Sequence, residues 1–146
     1  MAEEILVKEP LTKEMIEAGE ALERILVSAR FDLAAIFWLY TSEANKWRLM
    51  IASPQVDNEG PKKTYATIRE ILSKAASMAP DLDLWSITVL GSGETLVRTL
   101  AGANRHLGLS NKRLPGIYLN GVNIEDMYVY YIADSVEPLR GSDWYI

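Results

Sequence analysis

Apolar and polar positions along this chain switch between two periods, and each switch marks an element. Leu33-Ala34-Ala35-Ile36-Phe37-Trp38-Leu39-Tyr40 is apolar at every position, which predicts a strand buried on both faces. Trp47-Arg48-Leu49-Met50-Ile51-Ala52 is apolar apart from Arg48. The intervening Thr41-Ser42-Glu43-Ala44-Asn45-Lys46 has the length and polarity of a hairpin loop. This pair of strands is expected at the centre of the fold.

Upstream, Met15, Ala18, Leu22, Ile25, Leu26 and Ala29 recur at helical spacing, with Glu17, Glu20, Glu23 and Arg24 on the other side. Thr12 is placed to cap this helix, Leu11 and Ile16 to staple its start, and the helix is expected to end near Arg30. Downstream, residues 53–61 are rich in turn formers. Pro61 suits the first turn of a second helix carrying Tyr65, Ile68, Ile71, Leu72, Ala75 and Ala76, with Pro80 and Asp81 ending it. Residues 84–90 then read as a strand. Leu96, Leu100, Ala103 and Leu107 predict a third helix, with Gly108 as its left-handed terminus and Leu109 as the accompanying contact. After Pro115, Gly116-Ile117-Tyr118-Leu119 precedes the tight-turn pair Asn120-Gly121. Its partner is either 122–124 or the stronger run Met127-Tyr128-Val129-Tyr130-Tyr131-Ile132, and the latter is favoured as the main strand.

The order is therefore α-β-β-α-β-α-β-β, and it predicts a single α+β domain over residues 1–146, a mixed sheet of about five strands with helices packed on it. The terminal Trp144-Tyr145-Ile146 is expected to pack on the body or on a second copy. If the second and third strands are parallel, they and the helix between them form a right-handed βαβ unit. Ligands of such units gather beyond the carboxyl ends of the strands, here residues 53–57 and 91–94.

Composition narrows the chemistry. The 146 residues are 49% hydrophobic and 24% charged, with no cysteine and a formal net charge of -5. Disulfides, thiolate nucleophiles and cysteine-held metals are excluded. Basic residues are scattered rather than clustered, so nucleic acid is not an expected partner. The acidic start Met1-Ala2-Glu3-Glu4 and the shortness of every apolar run predict neither a signal peptide nor a membrane span, and hence a cytoplasmic protein.

Candidate chemistry is sparse. Gly91-Ser92-Gly93-Glu94 joins a strand to a helix, but Leu96 stands where a dinucleotide fingerprint needs glycine, and the phosphate-loop lysine is missing. Glu94 in the first helical turn would itself complement the dipole, so Ser92 reads as a helix cap. A serine elbow is not formed, because Leu90 precedes Gly91-Ser92-Gly93 where that motif needs a different glycine spacing. Asp57, Glu59 and Glu94 have the chemistry to hold a hard cation, but nothing in their spacing demands one, and neither metal nor cofactor is expected. His106, the sole histidine, suits a helix C-terminus. Arg48 reads either as an anchor for an anion or as a strand-end arginine pairing with an acid such as Glu43. Arg98 and Arg105 share a helix face. Tyr128, Tyr130 and Tyr131 are expected to cover both faces of one strand, leaving at least one for a pocket wall or subunit contact.

Two functions follow. The favoured one is a binding or protein-interaction module that recognises a partner protein or self-associates as a homodimer. The alternative is a small hydrolase or transferase at the carboxyl ends of the second and third strands. The binding candidates are Arg48, Asp57, Ser92, Gly93, Glu94 and Tyr130.

Overall fold

The structure, a computed structural model, describes residues 7–75, 87–119 and 121–133. Along the chain run α1 (Lys13–Ser28), β1 (Ala35–Thr41), β2 (Lys46–Ser53), α2 (Pro54–Glu59), α3 (Pro61–Lys74), β3 (Ile87–Gly91), α4 (Thr95–Leu107), β4 (Lys112–Arg113), β5 (Ile117–Leu119), β6 (Val122–Ile124) and β7 (Asp126–Ile132). Five strands make a mixed sheet in the order β3-β2-β1-β7-β4, and β5 with β6 forms a separate ribbon. This is the α+β architecture that the hydrophobic pattern predicts.

The all-apolar segment supplies the central strand. β1 pairs antiparallel with β2 on one side, Trp38 opposite Leu49, and with β7 on the other. Because β1 has neighbours on both edges and layers on both faces, a polar residue anywhere in its buried stretch, Ala35 to Trp38, would be costly. Ile36, Trp38, Tyr40, Trp47, Leu49 and Ile51 pack towards α1 and α3. Ala35, Phe37, Met50 and Ala52 pack on the other side with Val97, Leu100 and Ala101 of α4.

β2 and β3 are parallel, Leu49 opposite Ile87 through Ser53 opposite Gly91, which meets the condition for a βαβ unit. Two helices occupy this crossover rather than one. Residues 54–59, read from sequence as turn, form α2, because the Ser53 hydroxyl accepts from the Gln55 N–H and Pro54 sits at the first helical position. Tyr65 of α3 reaches the far side of β3. Its hydroxyl donates to the Ile87 carbonyl at 3.0 Å and accepts from the Val89 N–H at 3.3 Å, occupying groups that an edge strand otherwise offers to another chain. The expected helix end at Pro80 and Asp81, the strand residues 84–86 and the tail from 134 lie outside the described residues.

Local signals elsewhere match well. The Thr12 hydroxyl accepts from the Met15 N–H and caps α1. Gly108 ends α4 in the left-handed region at φ 64°, and Leu109 is buried behind it. The partner of β5 is β6 rather than β7, because Gly121 at φ 79° turns the chain directly back. β7 is nevertheless the main strand, running beside β1. A bulge there pairs Ile36 with Tyr131 and Phe37 with Val129, leaving Tyr130 without a partner on β1. It turns Tyr131 towards α1, where it lines a shallow groove of about 440 Å³ with Glu23, Val27 and Phe31. The three tyrosines therefore do not divide between the two faces.

Candidate functional site

β2 and β3 end side by side, and the residues that follow them meet. The Asp57 carboxylate, carried by α2, accepts from the backbone N–H and the hydroxyl of Ser92, both at 2.7 Å, and from the Gly93 N–H at 3.4 Å. A Cβ on Gly91 would stand 2.5 Å from Asp57 Oδ1, so only glycine lets the carboxylate come this close. The turn before α4 thus presents open N–H groups, as an anion site would, but the protein's own carboxylate occupies them.

Ser92 is therefore not the helix cap that its position suggests. Glu94 takes the N-cap place and makes no side-chain cap bond, while Ser92 turns back to Asp57. Ser92 is 5% exposed and its proton is committed to a carboxylate, whereas a serine nucleophile needs a base that can take that proton and an open approach. Glu94 is exposed, and Glu59 accepts from Gln55 Nε2 at 3.2 Å. Among the described residues, no three His, Asp or Glu side chains gather within reach of one metal ion.

What this end of the sheet does chemically is join two elements 35 positions apart. Removing the carboxylate strands two backbone donors and one hydroxyl, each worth roughly 0.5–1.5 kcal/mol when paired. Asp57→Ala should cost about 2 kcal/mol in urea unfolding and speed hydrogen exchange selectively at the amides of Ser92 and Gly93. Unchanged stability and exchange would contradict this role.

The other candidates lie elsewhere. Arg48 stands at the opposite, amino end of β2, where its Nε donates to Thr88 Oγ1 at 2.8 Å on the neighbouring strand, not at the carboxyl ends. Tyr130 is 4% exposed in the core. Its hydroxyl accepts from Trp38 Nε1 at 2.9 Å and donates to the Ile16 carbonyl at 2.6 Å. Burial above all pushes its pKa up, with Tyr128, Glu20 and Glu23 adding to the rise against the indole hydrogen bond. It builds the interior rather than a pocket wall.

Two surfaces stand out instead. Beside α4 lies a groove of about 440 Å³ lined by Arg98, Gly102, Arg105, His106, Leu107 and Leu119 among others, with no carboxylate among its described lining residues. Leu107 is 62% exposed, and Tyr118 on the adjacent ribbon is 71% exposed. The spacing of Arg98 and Arg105 puts both on one helix face, but only the ribbon's placement brings Leu119 beside them.

The second surface is built from residues that form no sequence motif. Asp126, only 2% exposed, accepts from Arg113 through both Nε at 2.7 Å and Nη2 at 2.8 Å, from Lys8 Nζ, and from the Met127 N–H. These donors, led by Arg113, hold its carboxyl down to about 2 against the desolvation that burial imposes. Lys8 and Arg113 in turn lie over aromatic faces, Lys8 on Tyr40 and Trp47, Arg113 on Trp47. Among the described residues no helix is long and apolar enough to cross a membrane. No known protein family, curated protein or solved structure is significantly similar to this chain.

Proposed function

We propose that this protein is a cytoplasmic interaction module that docks an acidic segment of a partner protein in the groove between α4 and the β5–β6 ribbon. The observation that carries the reading is the composition of that groove: Arg98, Arg105 and His106 beside Leu119 and the exposed Leu107, on a chain whose net charge is -5. Gly102 and Ala103 give the trough its depth, because small side chains let a ligand approach the helix. Leu107 and Leu119 offer apolar contact, and Arg98, Arg105 and His106 supply donors suited to carboxylates. The overall negative charge disfavours a long polyanion such as nucleic acid, while a short acidic segment meets only the local basic patch.

The alternative, a hydrolase or transferase at the carboxyl ends of β2 and β3, has the Ser92–Asp57 contact on its side. The burial of Ser92 and the saturation of Asp57 by three donors give it less support.

The test uses a fluorescein-labelled synthetic peptide of four glutamates around two leucines. Wild-type protein should bind it saturably. Arg98→Glu with Arg105→Glu should weaken binding at least tenfold, and raising salt from 50 to 300 mM should weaken it severalfold. Absence of binding, or equal binding by the double variant, would overturn the proposal. So would a second copy of the chain competing the peptide away at micromolar concentration, since the groove would then serve self-association.

A further inference from the structure

Residues 7–9 lie across the β1–β2 hairpin in the way a bound peptide lies across its receptor. Val7, Lys8 and Glu9 belong to no helix or strand. Their main chain is nonetheless read on both sides of the lysine. Asn45 Nδ2 donates to the Val7 carbonyl at 3.1 Å, and Asn45 Oδ1 accepts from the Glu9 N–H at 3.0 Å. Trp47 Nε1 donates to the Glu9 carbonyl at 2.7 Å. The Tyr40 hydroxyl donates to the same Asn45 oxygen at 2.6 Å and fixes the amide in place.

Between these backbone contacts the Lys8 side chain enters a recess. Its Nζ lies 4.8 Å from the centroid of Tyr40 and 5.7 Å from that of Trp47, rings that are themselves 5.4 Å apart and tilted by 52°. The Asp126 carboxylate receives the ammonium. Two aromatic faces and one carboxylate form the arrangement that selects an alkylammonium group, because the ring quadrupoles and the anion both favour a cation there.

We propose that Tyr40, Asn45, Trp47 and Asp126 form a recognition site for an extended peptide bearing a lysine, which the chain's own Val7-Lys8-Glu9 fills in cis. Three of the contacts are to main chain and so are indifferent to the flanking side chains, and the ammonium is the one side-chain feature read. A solitary ion pair to a lysine left 46% exposed would be worth little and would need no clamp on the backbone beside it. The recess also stands without its occupant. Arg113 holds both oxygens of Asp126 and stacks 5.2 Å from the Trp47 centroid, so the carboxylate stays compensated when the lysine leaves. Tethering gives the arm an effective concentration in the millimolar range. A peptide in trans therefore gains entry when the arm loses its charge, as acylation of Lys8 would cause. This site is on a different surface from the α4 groove and does not depend on it.

The probe is a fluorescein-labelled hexapeptide with the sequence of residues 5–10, Ile-Leu-Val-Lys-Glu-Pro, paired with a counterpart in which alanine replaces its lysine. The full-length Lys8→Ala protein should bind the lysine peptide at least tenfold more tightly than wild type does, and at least tenfold more tightly than it binds the alanine peptide. The indole Nε1 resonance of Trp47 should shift on binding. Should Lys8→Ala fail to fold, Lys8→Met, which keeps the stem over the rings and removes only the charge, is read in the same way. A folded variant that binds no better than wild type, or that binds both peptides alike, overturns the proposal.

Discussion

Gly19→Ala is expected to destabilise the protein by about 3 kcal/mol or more, although glycine to alanine inside a helix ordinarily stabilises by roughly 0.5–1 kcal/mol. The sign reverses because of what faces the glycine. Gly19 is buried on the inner side of α1, and a Cβ there would stand 2.2 Å from the Tyr130 hydroxyl and 2.6 Å from two of its ring atoms. Such contacts are far inside van der Waals range, so α1 or Tyr130 must move. Tyr130 cannot move freely, because its hydroxyl links the Trp38 indole to the Ile16 carbonyl. Displacing it costs overpacking strain, typically 1–3 kcal/mol, and leaves buried polar groups unpaired at roughly 1–3 kcal/mol.

A double-mutant cycle isolates this contact. Tyr130→Phe removes the closest clashing atom, so Gly19→Ala should cost at least 1 kcal/mol less in that background than in wild type. The remaining ring contacts keep the rescue partial. Additive costs in urea unfolding would show that Gly19 matters for some reason other than Tyr130.

Asp126→Ala should cost about 2–3 kcal/mol at pH 7, and the cost should shrink in acid. Breaking a fully buried pair costs roughly 3–5 kcal/mol by leaving a charge in low dielectric. Here the cations left behind are Lys8, 46% exposed, and Arg113, 44% exposed, and both can turn to water, which lowers the figure. The pH dependence follows from the carboxyl being held at about 2 rather than its ordinary 3.8. Above about pH 5 the group is ionised in both folded and unfolded chains, and its full contribution, roughly 2 kcal/mol, is present. As pH falls below that, the unfolded chain takes up the proton first, so stability is lost until the folded pKa is passed. Wild type and Asp126→Ala should therefore differ by roughly 1.5 kcal/mol less at about pH 2.5 than at pH 7. Tryptophan fluorescence during urea unfolding at the two pH values measures this, and a constant difference would contradict the assignment of Arg113 and Lys8 as its partners.

Both effects depend on residues that the sequence does not advertise, for a common physical reason. Signals carried within a few positions were legible. Thr12 before an amphipathic run, Gly108 after one, and an all-apolar segment beside a polar loop each have one dominant local solution. The direction of β3 relative to β2 is open in the sequence, because a helix can link either pairing, and the register from Leu49–Ile87 to Ser53–Gly91 makes it parallel. Ser53-Pro54 reads as a turn in the sequence because a cap followed by proline and polar residues resembles one, and the Gln55 N–H bond to the Ser53 hydroxyl is what makes it a helix start. The candidate residues divided along the same line. The sequence places Asp57 and residues 91–94 at one edge only if their strands are parallel, and the contact that forms there is between Asp57 and Ser92 with Gly93. Their occupation of one another, with the carboxylate in the anion's place, is a matter of side-chain direction that no spacing encodes. Lys8 and Asp126 are 118 positions apart, and neither belongs to a pattern that would single it out. Asp126 at the start of β7 looks like an ordinary polar strand end until β4 and the N-terminal arm are laid against it.

The proposed docking role rests on which surface of this α+β scaffold is open to a partner. A ¹H–¹⁵N correlation spectrum of the uniformly labelled protein, recorded during titration with the glutamate–leucine peptide, tests this directly. Shifts are predicted to concentrate at amides in residues 98–107 and 117–119 and to saturate together. Shifts concentrated instead at Asp57 and residues 91–94, where the turn before α4 would be receiving an anion in place of its own carboxylate, would contradict the account and move the binding site to the carboxyl ends of β2 and β3.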